Sequence, residues 1–162
     1  MSGKIKYVTG DATHPVGEGA KIIAHICNDI GRWGKGFVVA ISNRWPEPEA
    51  AYRNWHADKE NNDFALGAVQ FVSVENDLII ANMVGQHTIW LKDGIPPIRY
   101  EAVETCLSKT CDKALELAAT VHMPRIGCGL AGGKWELIEP IIENTLIARD
   151  VQVSVYDFEM SS

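Results

Sequence analysis

Residues 127–133, Gly127-Cys128-Gly129-Leu130-Ala131-Gly132-Gly133, place four glycines in seven positions. The run follows an apolar, strand-like segment (residues 121–126) and precedes a helix-like one (residues 134–148). A glycine-rich turn that leads from a strand into a helix leaves backbone N–H groups unpaired and aimed outward, which makes a ready anion cradle. Turn geometry accounts for one or two glycines. Four predict that a phosphorylated ligand approaches the backbone closely.

The remaining pattern is that of an α/β chain. Residues 4–8 and 22–26 read as strands, the second largely buried, and residues 37–44 as a short apolar helix stopped before Pro46. A weaker helical piece spans 52–59. Residues 66–74 and 78–81 form a plausible hairpin around Glu75-Asn76-Asp77. Residues 82–97 read as a long irregular stretch, which in a compact domain is expected to border a pocket. Residues 101–119 carry the strongest helical periodicity, with Val103, Leu107, Ala114, Leu115 and Ala118 on the predicted inner face. Trp135, Ile138, Ile141, Ile142, Thr145 and Leu146 do the same for residues 134–148. Alternating Val151, Val153 and Val155 make a last strand. This order predicts one domain, with a core over about residues 4–158 and a mixed, largely parallel sheet covered by helices. Ligands in such sheets gather at the carboxyl ends of the strands, where both glycine-rich loops fall.

With 21 acidic and 15 basic residues the formal charge is −6. No cluster of Lys and Arg offers a broad nucleic-acid surface. A small phosphorylated ligand remains compatible, because backbone amides need no side-chain charge. No apolar run approaches the ~20 residues of a membrane span, and the start carries no signal-like segment, so a cytoplasmic protein without membrane partners is expected. Cys27, Cys106, Cys111 and Cys128 match no zinc spacing, and the five histidines make no metal triad, so neither metal nor cofactor is expected.

The first loop, Asn28-Asp29-Ile30-Gly31-Arg32-Trp33-Gly34-Lys35-Gly36, runs into a helix whose positive end can face an anion. Its spacing is neither the Rossmann fingerprint nor a Walker A motif. Asn28 can donate to and accept from a sugar hydroxyl. His25, in the strand before the loop, is the foremost acid/base candidate because an unperturbed imidazole titrates near neutrality. Asp11 could meet a purine amino group or cap the turn at Ala12-Thr13. Tyr156 and Phe158 could stack on a base or pack as core and rim. His56 and His122 read as structural, and Cys106 and Cys111 as packed thiols.

Four segments in order, Gly10-Asp11-Ala12-Thr13, His25-Ile26-Cys27-Asn28, Gly34-Lys35-Gly36 and Pro124-Arg125-Ile126-Gly127-Cys128-Gly129-Leu130, resemble a macro domain over roughly residues 4–158. The branch most similar includes the terminal ADP-ribose protein glycohydrolase and the yeast ADP-ribose-1''-phosphate phosphatase. The resemblance implies a three-layer α/β/α sandwich that holds ADP-ribose across the top of its sheet. It implies Asp11 and Ala12 at the adenine, and Asn28 with Gly34, Lys35 and Gly36 at the distal ribose and first loop. It further implies Gly127, Cys128, Gly129, Leu130, Ala131 and Gly132 around the diphosphate, and Phe158 at the adenine face. His25, with Asn28, is the implied catalytic pair of the phosphatase branch, whereas Ala131 stands where the glycohydrolase branch carries an aspartate. The implied function is hydrolysis at the distal ribose, of phosphatase type. The alternatives are a non-enzymatic ADP-ribose reader and an ADP-ribosyl or O-acyl-ADP-ribose hydrolase. Partners would be ADP-ribose or a derivative, and ADP-ribosylated macromolecules.

Overall fold

Two central strands with opposite faces buried set the architecture. In β2 (Lys21–Asn28), Ile22 and Ala24 join one hydrophobic core while Ile23 and Cys27 join the other. Side chains alternate between faces along a strand, so a strand buried on both sides must lie between two layers of helix. The computed structural model describes residues 3–158. It shows a three-layer α/β/α sandwich around a six-stranded sheet of order β1-β6-β5-β2-β4-β3. β1 (Lys6–Thr9), β6 (Val153–Asp157), β5 (Thr120–Met123), β2 and β4 (Leu78–Gln86) run parallel, and β3 (Val69–Glu75) pairs antiparallel with β4.

One helical layer contains α1 (Phe37–Arg44) and α2 (Glu47–Ala57). Beneath it Trp33, Tyr52, Trp55 and Phe64 form an aromatic chain, with ring centroids 5.5 Å apart for Trp33–Tyr52, 5.9 Å for Tyr52–Phe64 and 4.9 Å for Trp55–Phe64. Such pairs add about 0.5–1.5 kcal/mol each beyond burial, which explains why α2 is secure despite its weak periodicity. It begins earlier than residue 52, because Pro46 ends one helix and stands at the N-cap of the next, where a missing N–H matters least.

The other layer contains α3 (Tyr100–Leu117) and α4 (Trp135–Thr145). The inner face of α3 is Val103, Cys106, Leu107, Thr110, Cys111 and Ala114. Leu115, expected on that face, is instead exposed, as is Ala118, which takes the left-handed conformation that ends the helix. In α4 Ile138 and Ile142 are fully buried, as is Leu146 just beyond it.

The largest departure from expectation is β4. It continues past Ala81 to Gln86, so the first five residues of the expected irregular stretch form the core of the sheet. Asn82 and Gly85 are poor strand formers, and tertiary pairing with both β2 and β3 overrides them. The genuinely irregular part, residues 87–99, folds back onto loop two through Ile98 N–H to Ala131 O (3.0 Å) and onto β4 through Arg99 N–H to Gly85 O (2.9 Å).

The strand order sets out the binding end. Read across the sheet, the carboxyl ends carry Gly10-Asp11 after β1, Phe158 after β6, Pro124-Arg125 after β5, Asn28 at the end of β2 and Gln86 at the end of β4. Three strand spacings of about 4.8 Å separate the β1 end from the β2 end, roughly 14 Å.

Candidate functional site

Loop one is organised by Asn28. Its Oδ1 accepts from Ile30 N–H (3.0 Å) and Arg32 N–H (3.1 Å) and lies 2.8 Å from the Tyr52 hydroxyl, while its Nδ2 donates to Arg32 O at 2.8 Å. The carboxamide oxygen is saturated within the protein, and one amide hydrogen remains unspent. Asn28 is therefore first a scaffold for the loop. Asp29 ties the loop to residues 87–88, accepting from Thr88 N–H at 2.7 Å and pairing with His87 Nδ1 at 2.7 Å.

Glycine serves two purposes in these loops. Gly31 has φ +77°, and a Cβ there would lie 2.3 Å from His56 Nδ1. In loop two a Cβ would meet Ile98 at 2.6 Å from Gly127, Pro96 at 2.8 Å from Gly132 and the Gly127 carbonyl oxygen at 2.5 Å from Gly133. These four glycines are required by the fold. Gly34 and Gly129 are different: their Cβ positions have nothing within 4 Å. The expectation that all four glycines of loop two serve a ligand is thus corrected, since three answer to close contact with residues 96–98 or with the loop's own backbone.

Among the described residues, the N–H groups of Gly34, Lys35 and Gly36, and of Gly129, Leu130 and Ala131, donate to no protein acceptor. Two adjoining clefts lie between them. The larger, about 430 Å³, is walled by Ile26, Cys27, Asn28, Arg32, Gly34, Lys35, Val38, Gln86, Ile89, Trp90 and Leu130. The smaller, about 200 Å³, shares Ile26, Lys35, Val38, Gln86 and Leu130 and adds His25, Gly36, Phe37, residues 124–127, Gly129 and Ala131. In a chain of net charge −6, these walls present Arg32 and Lys35, while Arg125 is paired with Asp157, donating from Nε at 2.6 Å and from Nη2 at 3.0 Å.

His25 is 1% exposed. Burial pushes its imidazole down to about 4, with the Asn82 hydrogen bond opposing the shift. The near-neutral titration expected of it does not survive burial, and at pH 7 the ring is neutral. Burial likewise raises the Cys27 thiol well above its ordinary value, so it stays protonated.

The strand order places the adenine-side candidates apart from these clefts. Asp11 Oδ1 accepts from Thr13 N–H and Thr13 Oγ1, both at 2.8 Å, and Oδ2 lies 3.3 Å from His14 Nδ1. Burial pushes the Asp11 carboxyl up, but the Thr13 and His14 contacts outweigh it and hold the group below its ordinary value. Asp11 therefore caps its turn, while Oδ2 stays partly open. Ala12 is buried beneath it. Phe158 is exposed beside that turn, joined through Gly10 N–H to Asp157 O at 2.8 Å. Cys128 and Gly132 belong to loop two but line neither cleft. Tyr156 is core, its hydroxyl bonded to His122 Nδ1 at 2.7 Å and to Val16 N–H at 2.9 Å.

Arg32, Gln86, Ile89 and Arg125 line the clefts without having been singled out from sequence, and Trp90, notable there only as an aromatic near a glycine-rich segment, lines the larger one. Arg32 lies in the first glycine-rich loop and Arg125 just before the second, where their cationic character near glycine is the available signal. Gln86 was hidden by ending β4 too early.

The fold and this arrangement define an α/β domain with glycine-rich loops around clefts at its strand ends, and comparison narrows the class. No family model matches the chain. The chain is 56% identical to the macrodomain protein from Streptomyces coelicolor, over 95% of this chain and 99% of that one, with a TM-score of 0.86. The chain belongs to the macrodomain family. It is also 32% identical over 169 residues to Chromodomain-helicase-DNA-binding protein 1-like from Mus musculus, covering 99% of this chain but only 18% of that protein. ADP-ribose 1''-phosphate phosphatase from Candida albicans is 27% identical over 148 residues, covering 86% of this chain and 92% of that protein. Among the described residues no helix is long and apolar enough to cross a membrane.

Proposed function

We propose that this macrodomain binds ADP-ribose across the strand ends and hydrolyses a derivative at the distal ribose, with ADP-ribose-1''-phosphate as substrate. The observation that carries the reading is the wall chemistry of the two clefts, which are lined by six residues with unpaired amides and by the cations Arg32 and Lys35. Such donors favour a diphosphate, because they need no reorganisation to meet it. The roughly 14 Å between the β1 and β2 ends suits an elongated ligand. Its adenine would lie at Asp11, Ala12 and Phe158, its diphosphate between Gly34–Gly36 and Gly127–Gly132, and its distal ribose at Asn28. The name of the Candida albicans relative supports the phosphatase form of the reading.

In this reaction neutral His25 accepts a proton from water as the water oxygen attacks phosphorus. The bond from phosphorus to the distal ribose oxygen breaks, and that oxygen is protonated from solvent, giving inorganic phosphate and ADP-ribose. A base held at a pKa of about 4 is weak, so turnover is expected to be slow. The same weakness, with Ala131 in place of a carboxylate, favours a second reading in which the domain binds ADP-ribose, free or attached to a macromolecule, without processing it.

Incubation of wild type and His25→Ala with ADP-ribose-1''-phosphate tests the choice, with ADP-ribose binding measured on both to verify folding. Phosphate release by wild type that falls by about a hundredfold or more in the variant is the expected result. Equal rates would remove His25 from the chemistry. No release by either, with binding intact, would select the reader.

A further inference from the structure

A buried hydrogen-bond chain runs from α2 through the sheet to His25. Asn82, fully buried on β4, stands directly across from His25 in the β2–β4 register. Both hydrogens of its amide are spent, on Pro48 O at 3.2 Å and Gln70 Oε1 at 3.1 Å. Gln70 is oriented in turn by donating to Ala51 O at 3.0 Å. Asn82 therefore has only its carbonyl oxygen to offer His25, and that oxygen lies 2.6 Å from Nε2. A carbonyl oxygen can only accept, so Nε2 carries the proton. A neutral imidazole has one N–H, which leaves Nδ1 with a bare lone pair. That atom is buried and has no partner among the described residues.

We propose that Asn82 is a positioning residue that fixes His25 as the Nε2–H tautomer and so holds Nδ1 as a buried hydrogen-bond acceptor on a residue that lines the smaller cleft. The inference rests on the ligand reading above only for the identity of the cleft's occupant. A buried acceptor without a donor is unfavourable, and the bound state can relieve it. The lone pair repels phosphate oxygens and accepts from O–H, so this position takes a sugar hydroxyl or a water and the neighbouring amides take the anion. Trp33 and Phe37, with ring centroids 5.3 Å and 6.0 Å from His25, exclude bulk solvent from the other sides. Cys27 Sγ, 3.9 Å from Nε2, is a protonated thiol and too weak an acceptor to displace Asn82.

Long-range nitrogen–proton NMR of the histidine rings reads the tautomer directly in the free protein. Wild type is expected to show one form, protonated at Nε2. Asn82→Ala is expected to lose that single form and show both tautomers, with the His56 and His87 signals unchanged as proof of folding. If Asn82→Ala does not fold, Gln70→Leu removes one of the groups that orient Asn82 and is expected to give a partial mixture. A wild-type ring protonated at Nδ1, or a single Nε2–H tautomer in a folded variant, overturns the proposal. Addition of ADP-ribose is expected to move the Nδ1 resonance alone. An unresponsive Nδ1 with the tautomer as stated supports the role of Asn82 and removes ADP-ribose as the occupant.

Discussion

Acidification from pH 7 to pH 4 is expected to remove roughly 5 kcal/mol of folding stability, most of it before the carboxylates titrate. Two histidines carry the effect. Burial holds His25 at about 4, and burial reinforced by nearby Lys21 and Lys6 holds His122 at about 4, against an ordinary value of 6.5. Both folded-state values are depressed, so the unfolded chain binds the extra protons. Stability is therefore full above about pH 6.5 and falls as pH drops toward 4. With two sites the steepest slope is about 2.4 kcal/mol per pH unit, near pH 5. Domains of this size hold about 5–15 kcal/mol in all, so the loss is a large share.

The structural consequence at His122 is local as well. His122 Nδ1 lies 2.7 Å from the Tyr156 hydroxyl and Nε2 lies 2.7 Å from Thr120 Oγ1. Tyr156 in turn accepts from Val16 N–H, which ties His122 to the segment that carries Asp11. Asp11 and Asp157, whose carboxyls are held below the ordinary value of 3.8, add to the loss only at lower pH. Urea unfolding at several pH values between 7 and 4 measures the slope, and His122→Gln is expected to halve it. A flat profile between pH 7 and pH 5 would contradict the assignment of two buried neutral histidines.

The second large effect separates the glycines of loop two. Gly133→Ala is expected to destabilise the fold by about 3 kcal/mol, because the new methyl group would overlap the Gly127 carbonyl oxygen, a backbone atom that cannot swing away. Gly129→Ala meets nothing within 4 Å, so its stability should stay within about 0.5 kcal/mol of wild type. Its effect belongs to the ligand: the added methyl group stands among the free amides, and ADP-ribose affinity is expected to fall by about tenfold, or 1.4 kcal/mol. Denaturant midpoints and binding isotherms on both variants make the comparison. A Gly129→Ala protein that binds as wild type does would mean that the diphosphate lies elsewhere, and a fully stable Gly133→Ala would mean that the loop is not closed on itself.

What could be read from the sequence follows physical locality. α1 spans residues 37–44 as expected, because Gly36 and the Trp45-Pro46 pair mark its ends within the segment itself. The alternation of β6 and the periodicity of α3 are equally local. β4 was cut short because Asn82 and Gly85 are poor strand residues whose pairing comes from β2 and β3, far away in the chain. The same distance hid the site's inner structure. Nothing near His25 indicates that residue 82 will lie opposite it, or that burial will move its titration by more than two pH units. Asn28 was recognisable as a loop-one residue, but its saturation depends on Tyr52. Gly133 and Gly129 look alike in sequence, and only the approach of the Gly127 carbonyl tells them apart.

The central claim is that the unpaired amides of the two loops and the cations between them form an ADP-ribose site. Calorimetric titration of the wild-type protein with ADP-ribose, with NAD, ADP and AMP as controls, tests it most directly. The expected result is saturable one-to-one binding of ADP-ribose, tighter than any of the three controls. Binding without preference for ADP-ribose, or no binding at all, would contradict it.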